Sequence, residues 1–428
     1  MVDVQPLRGL RYTPEKVDDL SQVITPPFDV ISKEAQARYY EQSPYNVVRL
    51  ELGKEQPTDN TLDSVYTRAA ATLAEWRLQE VLYQEPTPCY YLYRQRFRYD
   101  GQDYTRTSLL ARVRLEPWSA HAILPHENTR TKDKEDRLRL LHACSTNLSP
   151  IMCMYDDPRQ RIRHLLNAYA DAPEVRITDE AGEEHLLQPI RDREQIALIQ
   201  DFFTARQLYI ADGHHRYTTA LQYRDQVREQ RRELHPMDGV NFVLMALIDV
   251  DNPGMLVLPT HRILFDLPTT ALDALTAERL QPYFNVYPLQ PTWLEKLRQE
   301  EQPYVVLKTA EATLVLSINE QGRERMGQSG HTEAWNGLDV AIVQTLLLED
   351  LLGLTADDLA AGRYLRYSHD TISTLQALAN REAQAVILLN GMPFRQIRDV
   401  ALADDRMPQK STYLYPKLAT GLVMNPLW

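Results

Sequence analysis

Residues 207–221 read QLYIADGHHRYTTAL, and the interpretation of this stretch decides the fold of the chain. Leu208, Tyr209, Ile210 and Ala211 form a short apolar run that ends in Asp212-Gly213-His214-His215-Arg216. A helix-competent segment, Tyr217 to Val227, follows. The pattern predicts a strand, a one-glycine turn and a helix whose first turn carries two imidazoles and a guanidinium. The first N–H groups of a helix have no partner inside it and lie at the positive end of its dipole, so such a turn is a natural anion site. Arg216 adds a planar fork that matches phosphate or carboxylate. Asp212 is the acceptor-only group of the cluster, suited to act as a general base or to hold magnesium. A plain structural alternative stands beside this: Asp212 as the N-cap of the helix, with two surface histidines.

Composition frames that motif. The 428 residues suffice for a large core and for more than one domain. With 59 acidic against 47 basic residues the net charge is −12, which disfavours DNA or RNA binding through bulk charge. Arginine outnumbers lysine, so a local phosphate pocket stays open as a reading. No apolar run approaches the ~20 residues that span a bilayer, and MVDVQPLRGLRY lacks the basic-then-apolar layout of a signal peptide. Cys89, Cys144 and Cys153 form no CxxC pair and leave an odd count, as expected of a reducing, cytoplasmic setting without structural zinc.

Outward from the motif, strand-like and helix-like segments alternate irregularly. Asn46–Leu52 (NVVRLEL) alternates as a strand should, with Val48, Leu50 and Leu52 on one face. Thr61–Glu80 has helical spacing of Leu62, Val65, Ala69, Leu73 and Trp76. Tyr90–Tyr99 and Thr105–Leu115 predict a hairpin around Asp100-Gly101. Lys132–Cys144 predicts a helix, Val240–Val250 a central strand, Leu338–Leu354 an apolar helix and Ala385–Leu389 a buried strand. Residues 267–328 fit a small inserted α/β module. The fold class that follows is α/β (mixed α+β) with a mixed sheet, a first part over 1–235 and a C-terminal α+β part over 236–428.

Three further clusters carry candidate chemistry. His126 and Glu127, in LPHENTR ahead of Lys132, Lys134 and Arg137, can exchange a proton or ligate a metal. Pro259-Thr260-His261-Arg262 is a short polar turn after strands. Met407 to Lys417 (MPQKSTYLYPK) offers Lys410, Ser411, Thr412 and Lys417 to a polyanion, although the glycines of a Walker A loop are missing. For each, the structural alternative is a solvated loop or a packed turn.

The blocks TPPFDVIS, YNVVRLEL, HENTRTKDKEDR, ADGHHRYTTAL, PTHR and MPQKSTYLYPKLATGLV together resemble the bacterial and archaeal family known as domain of unknown function 1015, from about residue 25 to residue 424. Leu389-Asn390-Gly391-Met392-Pro393 departs from the turn expected of that family. More widely, Asp-Gly-His-His-Arg is similar to the ParB/sulfiredoxin motif, and free-serine kinases carry a related Asp-Gly-x-His-Arg. That resemblance implies a ParB/sulfiredoxin-like core in the N-terminal part, holding nucleotide phosphates around Asp212, Gly213, His215 and Arg216. Sulfiredoxins place a cysteine where His214 stands, so their sulfinic-acid chemistry is not expected here. No recognition helix of the ParB kind is evident.

The expected function is a nucleotide-dependent phosphotransferase acting on a small polar hydroxyl substrate, with a nucleoside di- or triphosphate and Mg²⁺. In that scheme Asp212, His215, Glu127 and His126 are catalytic candidates, and Asp212 and Glu127 the magnesium ligands. Gly213, His214, Arg216, Lys410, Ser411 and Thr412 are phosphate-binding candidates, and His261 and Arg262 are secondary. Lys410 to Lys417 are expected to return to the cleft of Arg216. A nucleotide-binding regulatory switch without turnover, and a metal-dependent hydrolase using the histidines, are the alternatives.

Overall fold

The computed structural model describes residues 2–127, 131–170, 173–231, 233–299, 302–408 and 410–428, without side chains at 131–133, 298–299 and 360. Two compact units divide the chain. One comprises Met1–Pro125, Thr129–Met255 and Pro416–Trp428; the other comprises His126–Asn128 and Leu256–Tyr415. The boundary thus falls at Met255 rather than at residue 235, and the last residues of the chain belong to the first unit.

The first unit is built on a mixed sheet of nine strands: β1 (Val4–Gln5), β2 (Tyr90–Tyr99), β3 (Gln102–Arg114), β4 (Ile123–Leu124), β5 (Ile151–Tyr155), β6 (Val175–Thr178), β7 (Glu184–Ile190), β8 (Leu208–Asp212) and β9 (Phe242–Asp249). Their order is β4-β8-β5-β9-β3-β2-β7-β6, with β1 on β3. The β2–β3 hairpin turns at Asp100 (φ 48°) and Gly101 (φ 76°), the two left-handed residues that a tight hairpin turn requires. The central place expected of β9 is met: it is buried at every residue and lies parallel to β5 and antiparallel to β3.

Strand alternation gives the sheet two faces. One carries Leu92, Leu109, Ala111, Cys153, Ile210 and Met245. It packs under helices α3 (Arg161–Asn167), α4 (Arg193–Thr204) and α5 (His214–Gln230) through Ile162, Phe203, Tyr217 and Ala220. The other face carries Tyr93, Gln95, Arg106, Ser108 and His185, all buried, and receives the C-terminal segment through hydrogen bonds to residues 416–419. A second core joins α1 (Val65–Leu78) and α2 (Thr131–Cys144) with the N-terminal segment through Ala69, Leu73, Trp76, Leu140 and Val47. Ser64 caps α1 with a reciprocal Ser64–Thr67 capping box, so the helix starts there, and Leu62 lies outside it, 87% exposed.

Asn46–Leu52 is not a strand: Val48–Glu51 form a helical turn. Asn46 Oδ1 accepts the Val48 N–H at 2.9 Å and Asn46 Nδ2 donates to the Gln22 carbonyl at 2.7 Å, so the side chain seeds a turn that the apolar alternation conceals.

The second unit carries a six-stranded, wholly antiparallel sheet of β10 (His261–Leu264), β11 (Phe284–Pro288), β12 (Tyr304–Thr309), β13 (Thr313–Ile318), β14 (Leu365–Ser368) and β15 (Ala385–Leu388), in the order β11-β13-β12-β15-β10-β14. Residues 267–328 are therefore no separate module, because β12 pairs directly with β15 and the sheet is continuous. The apolar stretch 339–351 is helical, beginning as an α-helix over Asp339–Ile342 and widening to a π-helix over Val343–Leu351. No helix among the described residues is long and apolar enough to cross a membrane.

Candidate functional site

The turn after β8 is shaped by a β-bulge. Ile210 pairs with Cys153 but Asp212 pairs with Met152, so two steps along β8 match one along β5. Strict alternation would put Asp212 on the helix-covered face with Leu208 and Ile210. The bulge at Ala211 moves it to the opposite face, which also bears Gln95 and Arg106. Gly213 then takes φ 98° and caps α5, so Asp212 is not the N-cap. A Cβ at Gly213 would lie 3.0 Å from Arg216 Nε and Nη2, so glycine is needed for both conformation and space.

Three charges meet at this turn. Arg216 Nη2 lies 3.6 Å from Asp212 Oδ2, and Lys417 Nζ lies 3.5 Å from the same oxygen. Burial alone would raise the Asp212 carboxyl, but Lys417, then Arg216 and His214, outweigh it and hold the group well below the usual carboxylate range. The other edge of the Arg216 guanidinium donates from Nη1 to the Pro150 carbonyl at 2.7 Å and to Ser149 Oγ at 3.1 Å. His214 is buried and His215 half-buried. With Asp212 fixed between two cations, this donor set does not fit a magnesium ion held by the protein.

Arg216 also lines a cavity of about 50 Å³, with Glu51, Arg137, Ser149, Thr219 and apolar Leu140, Leu148 and Val243. Ser149 Oγ donates to Glu51 Oε1 at 3.0 Å. Arg137 Nη1 lies 3.5 Å from the same carboxylate and donates to the Glu51 carbonyl at 3.0 Å, and its guanidinium sits 4.0 Å over the Phe28 ring. A polar relay therefore runs Asp212–Arg216–Ser149–Glu51–Arg137, buried at its Ser149, Glu51 and Arg137 end. Its members come from three of the sequence blocks, those containing Glu51, Arg137 and Arg216, while Phe28 under Arg137 adds a fourth and Lys417 beside Asp212 a fifth.

The remaining candidates lie in the second unit. His126 is buried, its Nε2 3.9 Å from Glu127 Oε1, and its carbonyl accepts the Met407 N–H at 2.8 Å. Glu127 Oε1 accepts from Thr412 Oγ1 at 3.3 Å. Ser411 is buried and donates to the Pro408 carbonyl at 2.5 Å, which closes a local turn, and Lys410 is exposed with φ 58°. His261 Nδ1 accepts the Leu389 N–H at 3.1 Å while Nε2 pairs with Thr371 Oγ1 at 2.8 Å. Burial, then His369 and Arg262, push its pKa down to about 4. Arg262 is buried against the Tyr367 ring, donates to the Thr260 carbonyl, and is pulled down to about 10 by burial. Asn128 to Arg130, the Lys132 side chain and Gln409 lie outside the described residues.

Glu51 and Ser149 were not marked by the sequence as site residues, and Arg137 was marked only as one of the basic residues beyond LPHENTR suited to phosphate. Only the clustering of Arg137 with other basic residues gave a signal, and Glu51 was hidden by its apparent place in a strand. Also unmarked were Asp179, Glu183 and His185, whose donor atoms lie within 4.8 Å of one another. Both nitrogens of His185 are hydrogen-bonded within the fold, Nδ1 with Tyr93 Oη at 2.7 Å and Nε2 with Asp179 Oδ2 at 3.1 Å.

Fold and site define a mixed α+β protein with an ion-paired strand–turn–helix beside a cavity of mixed polar and apolar lining. The chain belongs to the family described as protein of unknown function, DUF1015, whose model matches residues 4–341. No protein of curated function matches it. Among solved structures it is similar to a free serine kinase in complex with AMP, at 11% identity and TM-score 0.36 over 72% of this chain and 86% of that one. It is also similar to a conserved hypothetical protein from Pyrococcus furiosus, at 11% identity and TM-score 0.35 over 73% and 92%. SbnI from Staphylococcus aureus, truncated at its C-terminus, matches at 12% and 0.37 over 74% and 87%. Likeness at this level does not carry an activity from those proteins to this one.

Proposed function

We propose that the first unit is a phosphotransferase that holds a nucleoside di- or triphosphate at the Asp212–Arg216 turn and phosphorylates a small polar hydroxyl compound in the adjoining cavity. The observation that carries this is the place of Arg216, which stands at the cavity wall with one edge toward Asp212 and the other on Ser149 and Pro150. The N–H groups of the first turn of α5 would cradle phosphate oxygens, and His215 and Arg216 would neutralise charge spreading over them in transfer. The acceptor hydroxyl oxygen bonds to the terminal phosphorus as the bond to the leaving nucleotide oxygen breaks, and the hydroxyl proton passes to a carboxylate. Glu51 takes that role because it lines the cavity, whereas Asp212, held well below its usual range between two cations, is a weak base. Magnesium enters as part of the nucleotide substrate.

The test is product analysis with Mg²⁺-ATP and Mg²⁺-ADP against a panel of small hydroxyl compounds, using wild type, Arg216→Ala and Glu51→Gln. Glu51→Gln should cut turnover by about 100-fold or more with nucleotide binding kept, and Arg216→Ala should weaken binding as well. Binding without turnover for every acceptor would favour the regulatory-switch reading, and no binding at all would remove both.

A further inference from the structure

We infer that Lys417 is the cation that meets the terminal phosphate of the anionic ligand, and that the buried pair Gln95 and Arg106 exists to hold it at the turn. This rests on the nucleotide-phosphate reading of the Asp212–Arg216 turn. Lys417 arrives from a segment more than 200 residues beyond Asp212 in sequence, within the same unit. Its backbone is anchored on the sheet face that the β8 bulge turns Asp212 toward. Arg106 Nη1 donates to the Pro416 carbonyl at 2.5 Å, Gln95 Nε2 donates to the Lys417 carbonyl at 2.9 Å, and Arg106 also donates to Gln95 Oε1. Two residues on, the Ala419 N–H donates to Tyr93 Oη at 3.4 Å. Arg106, Gln95 and Tyr93 are each 1% exposed.

A guanidinium buried to this degree loses much hydration, and an apolar side chain would fill the space at less cost. Here Nη1 goes to one carbonyl and Nη2 to the glutamine that fixes the next carbonyl, while the buried Nε has no hydrogen-bond partner among the described residues, so the position of Lys417 is specified at both residues. The ammonium reaches Asp212 Oδ2 at 3.5 Å, and Arg216 reaches the same oxygen at 3.6 Å. Two cations thus converge on one carboxylate oxygen at the start of a helix. An ammonium has three donors and a guanidinium five, so each can serve more than one acceptor. A phosphate carries oxygens enough for both together with the first-turn N–H groups, and it can take over Lys417 while Asp212 keeps Arg216 oriented. Lys417 and not Lys410 is therefore the phosphate contact within the Met407–Lys417 block, and Gln95 and Arg106 are positioning residues.

The shared chemistry is a phosphate dianion, supplied by a nucleotide or by free phosphate. The experiment is calorimetric titration of wild type, Lys417→Met, Lys417→Arg and Gln95→Leu with ADP, AMP, pyrophosphate and inorganic phosphate at two salt concentrations. Expected is about tenfold or greater weakening of ADP or pyrophosphate by Lys417→Met with a reduced salt dependence, and recovery to within about threefold in Lys417→Arg. Gln95→Leu should weaken binding but keep the wild-type salt dependence. Preference for ADP over pyrophosphate assigns the source to a nucleotide, and the reverse assigns it to free phosphate. If wild type binds ADP or pyrophosphate and Lys417→Met and Lys417→Arg bind it equally well, the inference on Lys417 is overturned and the turn reading stands. If wild type binds none of the four, both are overturned.

Discussion

Arg216 follows two histidines at the start of a helix, and Arg262 follows His261 at the start of a strand. Sequence makes them look alike, as basic pairs at the edge of an apolar segment. Their surroundings differ. Arg216 shares a carboxylate with Lys417 and lines a cavity, with its remaining contacts to a hydroxyl and a carbonyl. Arg262 is 2% exposed, stacked on Tyr367 and bonded to the carbonyl two residues before it, while His261 has both ring nitrogens bonded within the fold. One cluster keeps cationic donors at the edge of a space, and the other spends them inside a core. The lesson is that residue type marks a candidate, and the fate of each donor decides between ligand and scaffold.

The sharpest way to break that contrast is to remove each charge. Arg262→Met should lower unfolding stability by about 3 kcal/mol, since the loss strands buried groups that the guanidinium satisfied. Arg216→Met should cost less, about 1–2 kcal/mol, because Lys417 still neutralises Asp212 and Ser149 keeps its bond to Glu51. Denaturant titration of the two variants checks this, and equal losses would erase the distinction. Gly213→Ala should destabilise by about 1–2 kcal/mol, because φ 98° and the close Arg216 atoms both oppose a Cβ, and should also displace Arg216 and weaken anion binding.

The smallest effect is one of pH. His261 has a folded pKa of about 4 against an ordinary 6.5, so the unfolded chain binds more protons between those values. Its contribution to stability is complete above pH 6.5 and is lost as pH falls toward 4. Asp339, pushed up to about 6 chiefly by burial, acts in the opposite sense, and its contribution falls as pH rises from 3.8 to about 6. The difference between wild type and His261→Asn isolates the first. The variant's unfolding midpoint should depend less on acid between pH 6.5 and 4, and an unchanged slope would mean His261 is not held neutral.

Much of the fold was legible because it is written in local terms. Asp100-Gly101 marks its own hairpin, the apolar run 242–249 its own central strand, and Gly213 the break between β8 and α5. The parts that escaped depend on contacts distant in sequence. Val48–Glu51 becomes helical through an asparagine side chain and buries a glutamate where alternation placed it outward. A bulge at Ala211 reverses the face of Asp212, and no property of the run LYIAD announces it. The site was half legible for the same reason. The turn carried Arg216 openly and the 407–417 block offered Lys417, whereas Glu51 and Ser149 reach Arg216 only through the fold, and Asp212 changed from expected base to shared counter-ion once Lys417 stood beside it.

The most direct measurement is calorimetric titration of Mg²⁺-ATP and Mg²⁺-ADP into wild-type protein and Arg216→Met at matched stability. If Arg216 is a phosphate ligand, binding by the wild type weakens about tenfold or more in the variant, while the variant loses less stability than Arg262→Met. Equal affinity of the two proteins, or no binding by the wild type, would contradict it.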